Sequence, residues 1–209
     1  NVGAMVALQN LNVTNNELAV TQARINTGKK VASAKDNGAV WAIAQAQRAE
    51  IGALNAVKDS LQRGQSVADV AIAAGETVSD LLVQMKEKAL AAADTSLSTT
   101  SRTALNEDFK ALRDQLAKVV TNATFNGKNL INTGATSVEA LANAAGSSKL
   151  TVRAEIMALG GAIVTLAATA SFNTATTALT LAGTVDTSIA NVSASLSRLG
   201  TSSKALETH

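Results

Sequence analysis

Cysteine, proline and tyrosine are all absent from this 209-residue chain, and aromatic residues make up only 2% of it. Without cysteine there is no disulfide, no thiolate nucleophile and no cysteine-ligated metal. Without proline nothing interrupts a long helix, where each internal Pro would cost about 3 kcal/mol. The one histidine is the last residue, which leaves no material for a histidine-based triad or metal site. Charge of one sign is scarce as well: a net charge of +2 is too small to mark a nucleic acid or an anionic membrane as partner. No run reaches the roughly 18 apolar residues that would span a bilayer. The most apolar stretch, Gly160 to Ala170, is interrupted by Thr165 and Thr169. These absences argue against an enzyme and against any cofactor.

What is present is aliphatic and periodic. The chain is 46% hydrophobic, and with three Phe and one Trp its core has to be built from Ala, Leu, Val and Ile. Such side chains suit closely approaching helices. Residues 4–32 read as a helix, with Ala4, Leu11, Leu18, Ile25 and Ala32 recurring every seven residues. Its companion positions turn polar toward Lys29, as expected of a helix that pairs with another helix.

A basic, glycine-containing turn follows at Gly28-Lys29-Lys30, then a polar one at Ser33 to Gly38, where Asp36 or Asn37 can cap the next helix. From Ala39 to about Ala93 one very long helical pattern carries two stripes. Ile51, Leu54, Leu61, Ala68, Ile72 and Leu82 form the first, and Val57, Gly64, Val67, Ala71, Val78 and Met85 belong to the second. Two stripes mean cover from two sides. Asp94 to Thr100 is a polar loop, with Ser101 or a neighbouring Thr as cap. Leu105, Phe109, Leu112, Leu116, Val119 and Ala123 then alternate by four and three, so the second and third helices form an antiparallel hairpin.

Asn126-Gly127 breaks the period and is a strong tight-turn signal, because both residues accept positive φ. Beyond it the chain is rich in Thr, Ala, Gly and Ser. Here the pattern predicts a short helix over 137–144 and a strand at Leu150–Arg153. Further strands are predicted at Ile163–Leu166 and Ala178–Leu181, the whole forming a small appendage. A last helix is expected from Val185, where Ile189, Val192, Leu196, Leu199 and Leu206 resume the alternation. It is still running at His209, as expected of a fragment. The fold class that results is mainly α: an elongated, coiled-coil-like helical bundle with a small β-hairpin and a β-rich centre. Its expected divisions are 1–33, 34–131, 132–184 and 185–209.

The stretch INTGKKVASAKDNGAVWAIAQAQR resembles the N-terminal signature of bacterial flagellins. Gln65 to Ala93 is similar to the flagellin long helix, Leu105 to Ala123 to the returning helix, and Phe125 to Leu130 to the core turn. Asp186 to Leu206, with Ser197-Arg198-Leu199-Gly200, is similar to the start of the C-terminal core helix. The resemblance is strong over 1–131, weak over 132–184 and good over 185–209, in the alanine-rich style of alphaproteobacterial flagellins. It implies a structural subunit that polymerises into the extracellular flagellar filament, its partner being further copies of itself. It also implies unfolded export by the flagellar type III route, assembly beneath a cap protein and contact with junction proteins. The first helix would line an inner tube, paired with a C-terminal helix not found in this chain, so residues 4–32 are expected to lack a partner. Gln84 and Lys88 stand where many flagellins carry the Arg and Leu read by an animal innate immune receptor, so activation of that receptor is not expected. A hook–filament junction protein is the nearest rival reading, and a helical-bundle signalling module is the rival of a different class.

Overall fold

Four helices and one two-stranded sheet follow one another as α1 (Val2–Thr27), α2 (Gly38–Ala92), α3 (Thr99–Asn122), β1 (Val138–Leu141), β2 (Lys149–Val152) and α4 (Ala175–Thr208). This is a computed structural model, and it describes residues 2–209. The chain divides at Leu54 into two units, so that α2 supplies residues 38–54 to the first and the rest to the second.

In the first unit α1 ends five residues earlier than the heptad pattern predicts. Gly28 adopts φ +63° and its N–H turns back to the Ile25 carbonyl, 3.3 Å away. A left-handed glycine after the last turn stops a helix whatever the side-chain period beyond it. The turn that follows is held by side chains. The Asp36 carboxylate accepts the backbone N–H groups of Ala32 (3.0 Å) and Ser33 (2.9 Å), and Asn37 Oδ1 accepts that of Val40 (3.1 Å). Asn37 is therefore the cap of α2, which starts at Gly38, while Asp36 shapes the turn. The hydrogen bonds from Ser33 and Ala32 hold the Asp36 carboxyl below the ordinary aspartate value.

The second unit is a helical layer closed by loops. Lys88 on α2 reaches Asp108 on α3 at 2.6 Å, confirming the hairpin. The cap of α3 is Ser98, not Ser101: Ser98 Oγ accepts the Ser101 N–H at 3.1 Å. α4 runs antiparallel to α2, tied near its start by Asp186 to Lys86 and near its end by Ser203 to Asp69. Gly75 allows this close approach. A Cβ there would lie 2.7 Å from Leu196 Cδ2 and 3.2 Å from Met157 Cε.

The segment between α3 and α4 departs from several expectations. The short helix expected at 137–144 is instead strand β1, paired antiparallel with β2 in the register Val138↔Val152 to Leu141↔Lys149. The strand expected at Leu150–Arg153 is β2, one residue earlier. Ile163–Leu166 forms bends, not a strand, and Ala178–Leu181 lies within α4. That helix begins at Ala175, ten residues before Val185, because Thr174 and Thr177 form a reciprocal capping box. Its threonines look β-prone by composition, yet their hydroxyls bond back along the helix, as Thr180 does to Thr176 and Thr184 to Thr180.

The segment is also not an appendage. Met157, Val164, Leu166 and Phe172 are buried in the same core as Leu82, Met85, Phe109, Leu116, Val185 and Val192. Phe109 and Phe172 meet edge to face with centroids 5.2 Å apart.

Candidate assembly surface

The heptad residues singled out from sequence divide sharply by unit. In the second unit Val78, Leu82, Phe109, Leu116, Val192 and Leu199 are buried, and Leu61, Leu105, Leu112, Val119, Ile189 and Leu196 are half-buried against them. In the first unit Leu11, Leu18, Ile25 and Leu54 are exposed, Leu18 by 55% and Ile25 by 74%. Among the described residues none before Val57 is buried.

α1 carries a second row, Val6, Val13 and Val20, which is exposed as well. A two-residue offset turns a helix by about 200°, so this row lies nearly opposite Leu11, Leu18 and Ile25. On α2 the residues Val40, Ile43, Ile51 and Leu54 extend the uncovered apolar surface. Aliphatic side chains left bare in such number along α1 and the start of α2 mark surface that binds something. Trp41, at the start of α2, is half-buried and so behaves as a packing residue.

Asn126 and Gly127 both have positive φ, +48° and +73°, and Phe125 and Lys128 exchange two backbone hydrogen bonds of 2.9 Å across them. This is a type I′ turn closed by a single bridge, without flanking strands.

The polar groups that hold the second unit together were not legible beforehand. Arg102 is buried in the first turn of α3, where a helix dipole disfavours a cation. Its guanidinium instead donates to Ala92 O at 2.9 Å, at the C-terminal end of α2, and to Asp94 O at 2.8 Å. One side chain thus satisfies orphan carbonyls of one helix from the start of the next. A cation at an unfavourable helix position was the available signal.

Asn129 donates to Val120 O (2.8 Å) at the end of α3 and accepts from Ile131 N–H (2.8 Å), fastening the turn beneath the helix. Asn106 accepts the Phe172 N–H, and Arg113 donates to Ala170 O, both at 2.8 Å, so α3 grips the loop ahead of α4. Glu155, with a side chain only 8% exposed, is held by Arg198 through two bonds of 2.8 and 2.6 Å. The Arg198 hydrogen bonds draw the Glu155 carboxyl below its usual range against the opposing effect of burial, and Glu155 in turn raises Arg198.

No group of His, Cys, Asp and Glu among the described residues is arranged to hold a metal ion. What the molecule offers is a closed core in one unit and an open aliphatic helix surface in the other.

The family model described as the bacterial flagellin N-terminal helical region matches residues 1–136. The chain belongs to the flagellin family. Flagellin FljM and flagellin FljK of Caulobacter vibrioides are each 56% identical to it over 209 residues, covering all of this chain and 76% of theirs. Flagellin C of Rhizobium meliloti is 36% identical over 135 residues, covering 65% of this chain and 41% of its own length. The crystal structure of Bacillus cereus flagellin superposes with a TM-score of 0.64 at 21% identity, over 72% of this chain and 85% of that one, and shows the shared fold. This flagellin is accordingly a structural subunit of the extracellular flagellar filament, not an enzyme, and it polymerises with copies of itself.

Proposed function

We propose that residues 1–54 are the part of this flagellin completed by neighbouring subunits, the opposed rows of α1 being its principal assembly contacts. The observation that carries this is the exposure of Leu11, Leu18 and Ile25 on one side of α1 and of Val6, Val13 and Val20 on the other. One partner helix can cover only one of these rows, so full burial needs at least two partner surfaces. Each Leu, Ile or Val side chain so buried contributes about 1.5–3 kcal/mol, enough in sum to offset the ordering of a long helix. In this arrangement residues 1–33 form an inner-tube helix and 34–131 with 185–209 an outer helical layer. The free side of residues 132–184 provides the variable face toward solvent.

The subunit reaches the tip unfolded through the flagellar type III route, beneath a cap protein and beyond the junction proteins. Family membership and the lack of any cysteine to cross-link the moving chain support this route. It does not activate the innate receptor that reads many flagellins, since Gln84 and Lys88 differ from that motif and Lys88 is engaged by Asp108.

Replacing Leu11 and Leu18 by Asp tests the assembly surface in a host deleted for its own flagellins. The expected result is loss of filaments by negative-stain microscopy, with the melting temperature of the purified subunit unchanged. Filaments of normal length from the double variant would refute the assignment.

A further inference from the structure

Charge is distributed unevenly between the two units. In the first, Arg24, Lys29, Lys30, Lys35 and Arg48 outnumber Glu17, Asp36 and Glu50, which accounts for the whole net charge of +2. Lys29, Lys30 and Lys35 crowd the exposed turn between α1 and α2, and among the described residues none of them makes an ion pair. In the second unit the exposed side of α2 carries the opposite sign. Asp69, Glu76, Asp80 and Glu87 recur at steps of seven, four and seven, which keeps them on one helix face over about 27 Å.

None of these four acids is in an ion pair among the described residues; Asp69 only accepts a hydrogen bond from Ser203, at 3.0 Å. The cations of the same stretch are committed elsewhere, Lys86 to Asp186 and Lys88 to Asp108. Three residues beyond Asp80 and Glu87, on the same face, Val83 and Leu90 are 43% and 47% exposed. An uncompensated acidic row beside apolar side chains on a long helix is a surface with something left to bind.

We infer that this face of α2 docks the basic turn, Lys29 to Lys35, of a second copy of the chain in the filament. The occupant follows from three observations: the subunit polymerises with itself, the complementary charge lies on its own other unit, and neither set is neutralised by its surroundings. The contact rests on the filament reading above and adds a specific, oriented pairing to it. Apolar burial on α1 drives association, and the charge pairing selects which neighbour is accepted and in what orientation, as complementary charges do across interfaces.

Seeded elongation of the purified full-length subunit at low ionic strength tests the pairing with two variants. Asp80→Lys with Glu87→Lys reverses the acidic row, and Lys29→Glu with Lys30→Glu reverses the turn. All four residues are exposed, so melting temperatures should stay at the wild-type value. Each variant alone sets like charges against each other at every contact and should elongate about tenfold more slowly. An equimolar mixture restores opposite signs at every contact between unlike variants and should recover most of the wild-type rate. The difference should shrink as added salt shortens the screening length from about 30 to about 8 Å.

Wild-type elongation by either variant would overturn the inference. So would a mixture that fails while all four changes in one chain succeed, because the pairing would then be within a chain. Wild-type growth abolished by EDTA but insensitive to the lysine changes would assign the acidic row to a divalent cation instead. If the wild type itself does not add to seeds, the filament reading falls and this contact with it.

Discussion

Residues 2–54 and residues 55–209 are built from the same side chains, Leu, Val, Ile and Ala at helical spacing, yet only the second set is folded around a core. Among the described residues the first unit buries none, whereas the second buries Leu82, Met85, Phe109, Leu116, Leu130 and Ile131 completely. The difference lies in the number of partners. α2 in the second unit is met by α3, by α4 and by the loop that carries Met157 and Phe172, so its stripes are covered within one chain. α1 has rows on opposite sides and no second layer of its own. An apolar heptad is therefore an instruction to pair, and the available neighbours decide whether pairing happens within the chain or between chains.

The largest expected effect tests the folded half of this comparison. Phe109→Ala removes a fully buried ring together with its edge contact to Phe172 and should destabilise the subunit by about 3–5 kcal/mol in denaturant unfolding. A loss below about 1 kcal/mol would mean that the loop before α4 can close without that contact.

A smaller effect concerns the Glu155–Arg198 pair, which joins the loop after β2 to α4. The folded-state pKa of Glu155 lies below its unfolded value, so the unfolded state binds the proton more readily. The stabilisation is thus present above the unfolded glutamate value of about 4.3 and is lost as pH falls through the lower folded value. Glu155→Gln should cost about 1–3 kcal/mol at neutral pH, at the lower end because Arg198 remains more than half exposed. It should also flatten part of the decline in melting temperature between neutral pH and pH 3. Parallel pH profiles for variant and wild type would show that the pair does not link loop to helix.

The smallest effect probes the open half. Leu18→Ala on the 55%-exposed face of α1 should change subunit stability by less than about 0.5 kcal/mol, measured as a melting shift within error. A comparable truncation at Leu116 in the core should cost about 2–5 kcal/mol. If the two cost the same, α1 is not open in the subunit and the contrast between the units fails.

Much of the molecule could be read from residue patterns. The α2–α3 hairpin, the turns at Gly28, Asn37-Gly38 and Asn126-Gly127, and the buried alternation Phe109, Leu116, Val192, Leu199 all follow from local spacing and turn chemistry. The region between α3 and α4 could not be read in this way. There the local pattern of Ser137 to Ala144 suits a helix and that of Ala178 to Leu181 a strand, the reverse of what forms, because Thr, Ala and Ser hold no strong preference and long-range contacts settle their conformation. β1 is a strand because β2 lies beside it and because Ser60 on α2 accepts the Leu141 N–H at 3.0 Å. Leu112 was expected at the centre of the α3 seam and lies instead at its half-buried margin, while Leu116 one turn later is closed off entirely.

The polar fastenings were hidden for the same reason. The bonds of Arg102 to the Asp94 carbonyl, of Asn129 to the Val120 carbonyl and of Glu155 to the Arg198 guanidinium span 8 to 43 residues along the chain. By itself the sequence determined the α2–α3 hairpin, the tight turn at Asn126-Gly127 and the family, all properties of composition and short-range spacing. Only the tertiary structure decided which apolar stripes are satisfied within the chain and which are left for another copy, because burial depends on what stands opposite a side chain.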